Sequence, residues 1–199
     1  MKGVFCLMKR FLDVLLSLLA IIFLSPLMLI ICLIIICDDG LPVIFRQNRV
    51  GKGDELFKIK KFRTMKNGAP NLSTADFEQS DEFITRSGKF LRRTSLDELP
   101  QLFNVLAGDM SFIGPRPQQD KEHELKLYNA RREFNPTAFV VKPGLCSLAI
   151  VKMHRSHDPK EKAFYDSEYA RTVSFKTDVT LFFAAFGILL GIRKQDKGK

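Results

Sequence analysis

The sequence predicts an α+β fold in which an apolar anchoring helix precedes a small, polar and basic body. Three observations support this: a long apolar run near the start, two extended segments around a turn sequence, and a later segment whose apolar residues recur at helical spacing. With 199 residues, 46% of them hydrophobic and 27% charged, the chain has room for one domain with a core of its own. Most of the apolar weight lies at the two ends, and the middle is polar and basic.

From Val14 to Cys37 the apolar run is interrupted only by Ser17, Ser25 and Pro26. A helix of that length covers roughly 36 Å, against a hydrocarbon core of about 30 Å. The run exceeds a secretory apolar core and no small-residue cleavage site follows it. Pro26 removes a backbone donor in mid-run, so a kink is expected there. Lys9 and Arg10 precede the run and Arg46, Arg49 and Lys52 follow it, which pulls both flanks toward the cytoplasm. Two geometries stay open on these grounds, a kinked spanning helix and a re-entrant one. A second apolar stretch, Val179 to Ile192, is too short to cross; it fits either a core helix or an interfacial helix over about 176–193, and the anchor favours the interface. The expected organisation is an anchor over 1–37 and a body over 38–199.

The net charge is +9, and +7 remains when the stretch up to Cys37 is set aside. A cationic body next to an apolar anchor suits anionic headgroups or phosphate-bearing substrates at least as readily as nucleic acid. Cys6, Cys32, Cys37 and Cys146 have neither paired nor metal-like spacing, which fits reduced thiols in a domain facing the cytoplasm. His123, His154 and His157 lack zinc spacing as well.

Between Leu41 and Met65, LPVIFRQNRV and ELFKIKKFRTM flank Gly51-Lys52-Gly53-Asp54, which predicts a β-hairpin whose second strand carries Lys58, Lys60, Lys61 and Arg63. Residues 66–81 are rich in Asn, Ser, Gly and Asp and read as a loop. Ser95-Leu96-Asp97-Glu98 then matches a capping box, and Leu99, Leu102, Phe103 and Leu106 recur at helical spacing up to Gly108. Acidic residues in a first helical turn need no catalytic explanation. Here, however, Arg92 and Arg93 stand upstream and Arg116 stands in the Gly114-Pro115-Arg116-Pro117 turn downstream. Adjacent carboxylates can hold Mg²⁺ or act as a nucleophile, and guanidinium groups bind phosphate oxygens, so the cluster looks like a diphosphate site. Spacing alone does not say which reaction follows.

Over nearly its whole length the chain resembles the monotopic polyprenyl-phosphate phosphoglycosyl transferases, the small, catalytic-domain-only bacterial sugar transferases. The resemblance rests on KRFLDVLLSLLAIIFLSPLMLI, VIFRQNRVG, FKIKKFRTM, LRRTSLDELPQLFNVLAGDMSFIGPRP and VKPG, with Asp166, Tyr169, Ser174, Phe175 and Asp178 following. It implies a re-entrant membrane helix broken at Ser25-Pro26, interfacial amphipathic helices, and a catalytic body on the cytoplasmic face of the bacterial inner membrane. It also implies transfer of a phosphosugar from a UDP-sugar to polyprenyl phosphate, with UMP released and a polyprenyl-diphosphate-linked sugar formed. In that reading Asp97 is the nucleophile and Asp97 with Glu98 is the Mg²⁺ site. Lys61, Arg92 and Arg116 are phosphate-contacting cations, with Gln101 a secondary candidate. Membrane lipids are expected neighbours and nucleic acid is not an expected partner. The alternative from another class is a membrane-tethered basic module binding anionic lipid or nucleic acid without catalysis. The chain departs from the family pattern after Gly144, where Cys146, Ser147 and Leu148 replace the usual Thr, Gly and Trp and His154-Arg155 stand near the usual arginine. The resemblance places that stretch in the nucleotide-sugar pocket, and two outcomes stay open, a different donor or an altered site in a degenerate transferase that keeps the fold as a scaffold.

Overall fold

A computed structural model describes residues 2–69, 80–153 and 158–189. His154, Arg155 and His157, the centre of the loop expected over 66–81, and the end of the C-terminal helix therefore lie outside the described residues. The chain opens with helix α1, Lys2–Asp39, which runs unbroken through Pro26. Proline has no N–H to give the Ile22 carbonyl one turn back. Ser25 Oγ donates to that carbonyl instead, at 2.8 Å, which gives the Ser-Pro pair a local reason.

Helix α1 meets the body at both ends. Near its start, Arg10 donates to the Val105 and Leu106 carbonyls at 2.7 and 2.8 Å. Asp13 accepts from Ser111 Oγ and Phe112 N, both at 3.1 Å. Lys9 pairs with Asp178. Near its end, Met28, Ile31 and Ile35 pack against Phe62 and Leu91. Asp39 pairs with Arg63 and Asp38 accepts from Ser87. Between the ends the outward face is bare, with Phe23 84% exposed and Ile22 62%. The helix is long and apolar enough to cross a membrane, yet its cations Lys9 and Arg10 are spent on the body.

The expected hairpin forms from β1, Ile44–Val50, and β2, Leu56–Phe62, antiparallel with Phe45 opposite Lys61. A short 3-10 turn, Lys52–Asp54, joins them. Helices α2, Ser80–Phe83, and α3, Arg86–Thr94, follow. The capping box expected at Ser95 is absent. Ser95 sits in the left-handed region at φ 56° and ends α3, its N–H turned back to Arg92, so it cannot take the extended backbone an N-cap needs. Leu96–Gln101 is consequently a 3-10 turn containing Asp97, Glu98 and Pro100, and α4, Leu102–Ala107, continues from it. Gly108 closes α4 at φ 100°, as the spacing predicts.

The dyad turn is seated on the hairpin by Asn104, which is fully buried. Its side chain imitates a neighbouring strand, accepting from Lys60 N at 3.0 Å and donating to the Lys58 carbonyl at 2.9 Å. After α4 comes β3, Ser111–Ile113, then α5, Leu125–Glu133, and β4, Gly144–Cys146, which pairs in parallel with β3. Here the backbones nearly touch: a Cβ on Gly144 would lie 2.1 Å from Gly114 N. Helices α6, Leu148–Lys152, α7, Pro159–Thr172, and α8, Phe175–Leu189, complete an α+β, mostly helical fold. Leu181 and Ala184 of α8 join Ile113, Val151 and Tyr169 in one core cluster. The four cysteines are free thiols.

Candidate active site

The 3-10 turn brings Asp97 and Glu98 to a cleft of about 940 Å³ that Lys61, Arg92 and Arg116 also line. Each cation arrives on a different element: Lys61 from β2, Arg92 from α3 and Arg116 from the turn after β3. Glu98 Oε1 accepts from Lys61 Nζ at 2.8 Å and from Arg116 at 2.9 Å. Burial alone would raise the Glu98 carboxyl, but Arg116 and Lys61 outweigh it and hold the group at about 2. Lys61 is itself held below its ordinary value, because burial costs it more than Glu98 returns.

Asp97 differs. It is 9% exposed and lacks such a clamp, and its carboxyl is pushed above the ordinary value by burial, with Lys61 and Arg92 opposing. Two neighbouring carboxylates are thus driven apart, one toward firm ionisation and the other toward greater basicity. A more basic carboxylate is the better nucleophile once deprotonated. Arg92 is steered by its Nε bond to Thr64 Oγ1, at 2.9 Å.

Arg116 is fixed through its backbone. Arg131 donates to the Arg116 carbonyl at 2.9 Å and to Gln118 Oε1 at 3.0 Å, while Asp166 accepts from two Arg131 nitrogens at 3.0 and 2.5 Å. All three of these side chains are almost wholly buried. A buried charge pair is costly unless its geometry and remaining hydrogen bonds are good, and here it spans α5, α7 and the Arg116 turn. Sequence reasoning assigned Arg131 nothing; the contact joins positions 35 residues apart, beyond any periodicity. Arg49 was also missed as a site residue. It lines the cleft, donates to the Pro117 carbonyl at 3.2 Å, and is lowered to about 10 by burial, so it is charged at neutral pH.

Gln101 is placed otherwise than the other candidates. Its side chain is 2% exposed, lies outside the cleft lining, and leaves Nε2 without a hydrogen-bond partner. The segment that departs from the family pattern does reach the cleft, through Leu145, Cys146 and Ile150. Burial raises the Cys146 thiol to about 11, so it is an unreactive wall group.

The donor set suits Mg²⁺. That ion ordinarily takes one or two carboxylates, completing its shell with substrate phosphates and water, and the Asp97 carboxylate with Glu98 Oε2 offers such oxygens. Among the described residues no group of three or more His, Cys, Asp or Glu side chains suits a metal, so the remaining ligands would come from substrate and solvent.

A helix long and apolar enough to cross a membrane thus accompanies a carboxylate pair ringed by cations, an arrangement suited to phosphate groups. The sequence pattern of bacterial sugar transferases matches residues 4–191, and the chain belongs to that family. Over 196 residues it is 36% identical to a UDP-N-acetylgalactosamine-undecaprenyl-phosphate N-acetylgalactosaminephosphotransferase of Aeromonas hydrophila, covering 94% of this chain and 44% of that protein. It is 38% identical over 188 residues to a UDP-glucose:undecaprenyl-phosphate glucose-1-phosphate transferase of Escherichia coli, covering 92% of this chain and 40% of that protein. An exopolysaccharide production protein, ExoY, of Sinorhizobium fredii is 33% identical over 190 residues, with 88% of this chain and 82% of that protein covered. The chain thus spans less than half of the first two relatives and most of the third.

Proposed function

We propose that this protein transfers a phosphosugar from a UDP-sugar to polyprenyl phosphate at the membrane surface, through a covalent intermediate on Asp97. The observation that carries the reading is the divergence of the dyad: Glu98 clamped by Lys61 and Arg116, and Asp97 buried, unclamped and more basic. The names of the similar proteins support the substrate classes.

The donor diphosphate enters among Lys61, Arg92 and Arg116, whose charges offset its repulsion of the carboxylates. Asp97 Oδ attacks the β-phosphorus, the Pβ–O bond to the α-phosphate breaks, and UMP leaves with that electron pair. The phosphosugar remains on Asp97 as an acyl phosphate. A phosphate oxygen of the lipid then attacks the same phosphorus and releases the Asp97 carboxylate. Mg²⁺ held by Asp97 and Glu98 would neutralise phosphate charge as the donor binds. Arg131 keeps the Arg116 turn in place throughout.

The anchor suits a lipid acceptor. A lipid phosphate stays at headgroup level, so the nucleophile must sit there too. Docking of both α1 ends on one body supports a helix that stays hydrogen-bonded through Pro26 but bends there, entering and leaving by the same face, because a straight spanning helix would carry one end away from the body. The exposed Phe183 and Val179 of α8 support an interfacial position for that helix. The positive flanks favour the cytoplasmic face of the inner membrane.

The direct test incubates detergent-purified protein with UDP-sugars, Mg²⁺ and polyprenyl phosphate and measures UMP. The wild type releases UMP and Asp97→Asn does not. Equal release by the variant would overturn the role of Asp97. No release with any donor, together with vesicle binding indifferent to the dyad, would favour a non-catalytic lipid-binding module.

A further inference from the structure

The cleft that holds the dyad is lined by two kinds of surface. One part carries the cations that suit phosphate. The other is built by Phe182, Ala185 and Phe186 of α8 with Leu145 and Ile150, and its side chains offer neither donor nor acceptor. Phe182 and Phe186, four residues apart on one helix face, stack with their planes 3° apart. They remain 38% and 50% exposed, while Leu181 and Ala184 on the inner face are buried. The same helix carries Phe183, 66% exposed, so the cleft wall runs on into an exposed apolar surface.

We infer that the α8 wall seats the isoprenoid chain of the acceptor, with the isoprene units beyond the first lying across Phe182 and Phe186. This rests on the proposed function and adds the path by which the lipid reaches Asp97. Chemical complementarity selects the occupant. An anionic head joined to a hydrocarbon tail satisfies both surfaces at once. The sugar and base of the donor need hydrogen-bond partners, and an aliphatic and phenyl surface cannot supply them. The wall also lets the chain stay out of water while its phosphate enters the cleft at headgroup level, which a purely polar cleft would not.

The test uses the full chain in detergent micelles with Phe186→Ser and Phe186→Leu. Phe186 is half exposed, so neither change opens the core. Three quantities are measured: the UMP burst from UDP-sugar without acceptor, KM for a long-chain polyprenyl phosphate, and kcat/KM for dimethylallyl phosphate, which has a single isoprene unit. For Phe186→Ser the burst and the single-unit acceptor are expected to be unchanged, while KM for the long chain rises about tenfold. Phe186→Leu, which restores apolar area, brings that KM back to within about threefold of wild type. An equal loss on both acceptors, a weakened burst, or no recovery with leucine overturns the inference. Absence of a burst in the wild type instead removes the covalent reading on which it rests.

Discussion

Replacing Glu98 by glutamine should destabilise the protein in a pH-dependent way. The carboxyl is depressed from 4.5 to about 2, and at about 1.4 kcal/mol per pH unit this corresponds to about 3 kcal/mol of favourable interaction with Arg116 and Lys61. That figure is an upper bound for the pair, since the same burial works against Lys61. The Glu98 side chain is 22% exposed, so solvent screens only part of the attraction. Because the folded-state value lies below the unfolded one, the contribution is complete above about pH 4.5 and is lost as pH falls through about 2. Denaturant unfolding of wild type and Glu98→Gln in one detergent, at neutral pH and at pH about 3, measures it. Wild type should be more stable by up to about 3 kcal/mol at neutral pH, and by about half as much at the lower pH. A difference that does not change with pH would refute the assignment of the depression to this cation clamp.

Asp97→Asn should abolish UMP release while leaving the unfolding midpoint at pH 7 equal or higher. The raised Asp97 carboxyl contributes stability only when protonated, at low pH, and that contribution is lost as pH rises through its folded-state value, so at neutral pH its burial is a cost that asparagine removes. By the same shift, activity of the wild type should fall on acidification at a pH above the ordinary 3.8 of aspartate, read from a pH–rate profile. Asn104→Ala should cost about 1–3 kcal/mol in denaturant unfolding, because Lys60 N and the Lys58 carbonyl lose their buried partner. Gly144→Ala should cost at least about 2 kcal/mol and lower kcat/KM, since its Cβ would meet Gly114 N and push the Arg116 turn away from Glu98.

Local structure was legible where chain chemistry is local. Alternation around Gly51 to Asp54 gave β1 and β2, and the apolar spacing after Leu99 ended at Gly108 as expected. The capping box was misread because the pattern at Ser95 ignores what precedes it: α3 runs up to Thr94, and Ser95 must reverse the chain in a left-handed conformation. Tertiary contacts were hidden. Lys61 meets Glu98 across 37 positions, and only family resemblance suggested Lys61 as a site cation. The Arg10 and Asp13 clamps on Leu106 and Ser111 join segments nearly half the chain apart, where Lys9 and Arg10 had been read only as topology signals. Arg131 carried no signal because an arginine near the end of a helix is ordinarily solvated, and its burial against Asp166 exists only in the folded chain.

Intact-protein mass spectrometry after mixing with a UDP-sugar panel and Mg²⁺, without acceptor, tests the central claim most directly. The wild type should gain the mass of one phosphosugar, lose it when polyprenyl phosphate is added, and show no gain as Asp97→Asn. UMP release only in the presence of the lipid with no adduct at any time, or an adduct that persists in Asp97→Asn, would contradict the covalent role of Asp97.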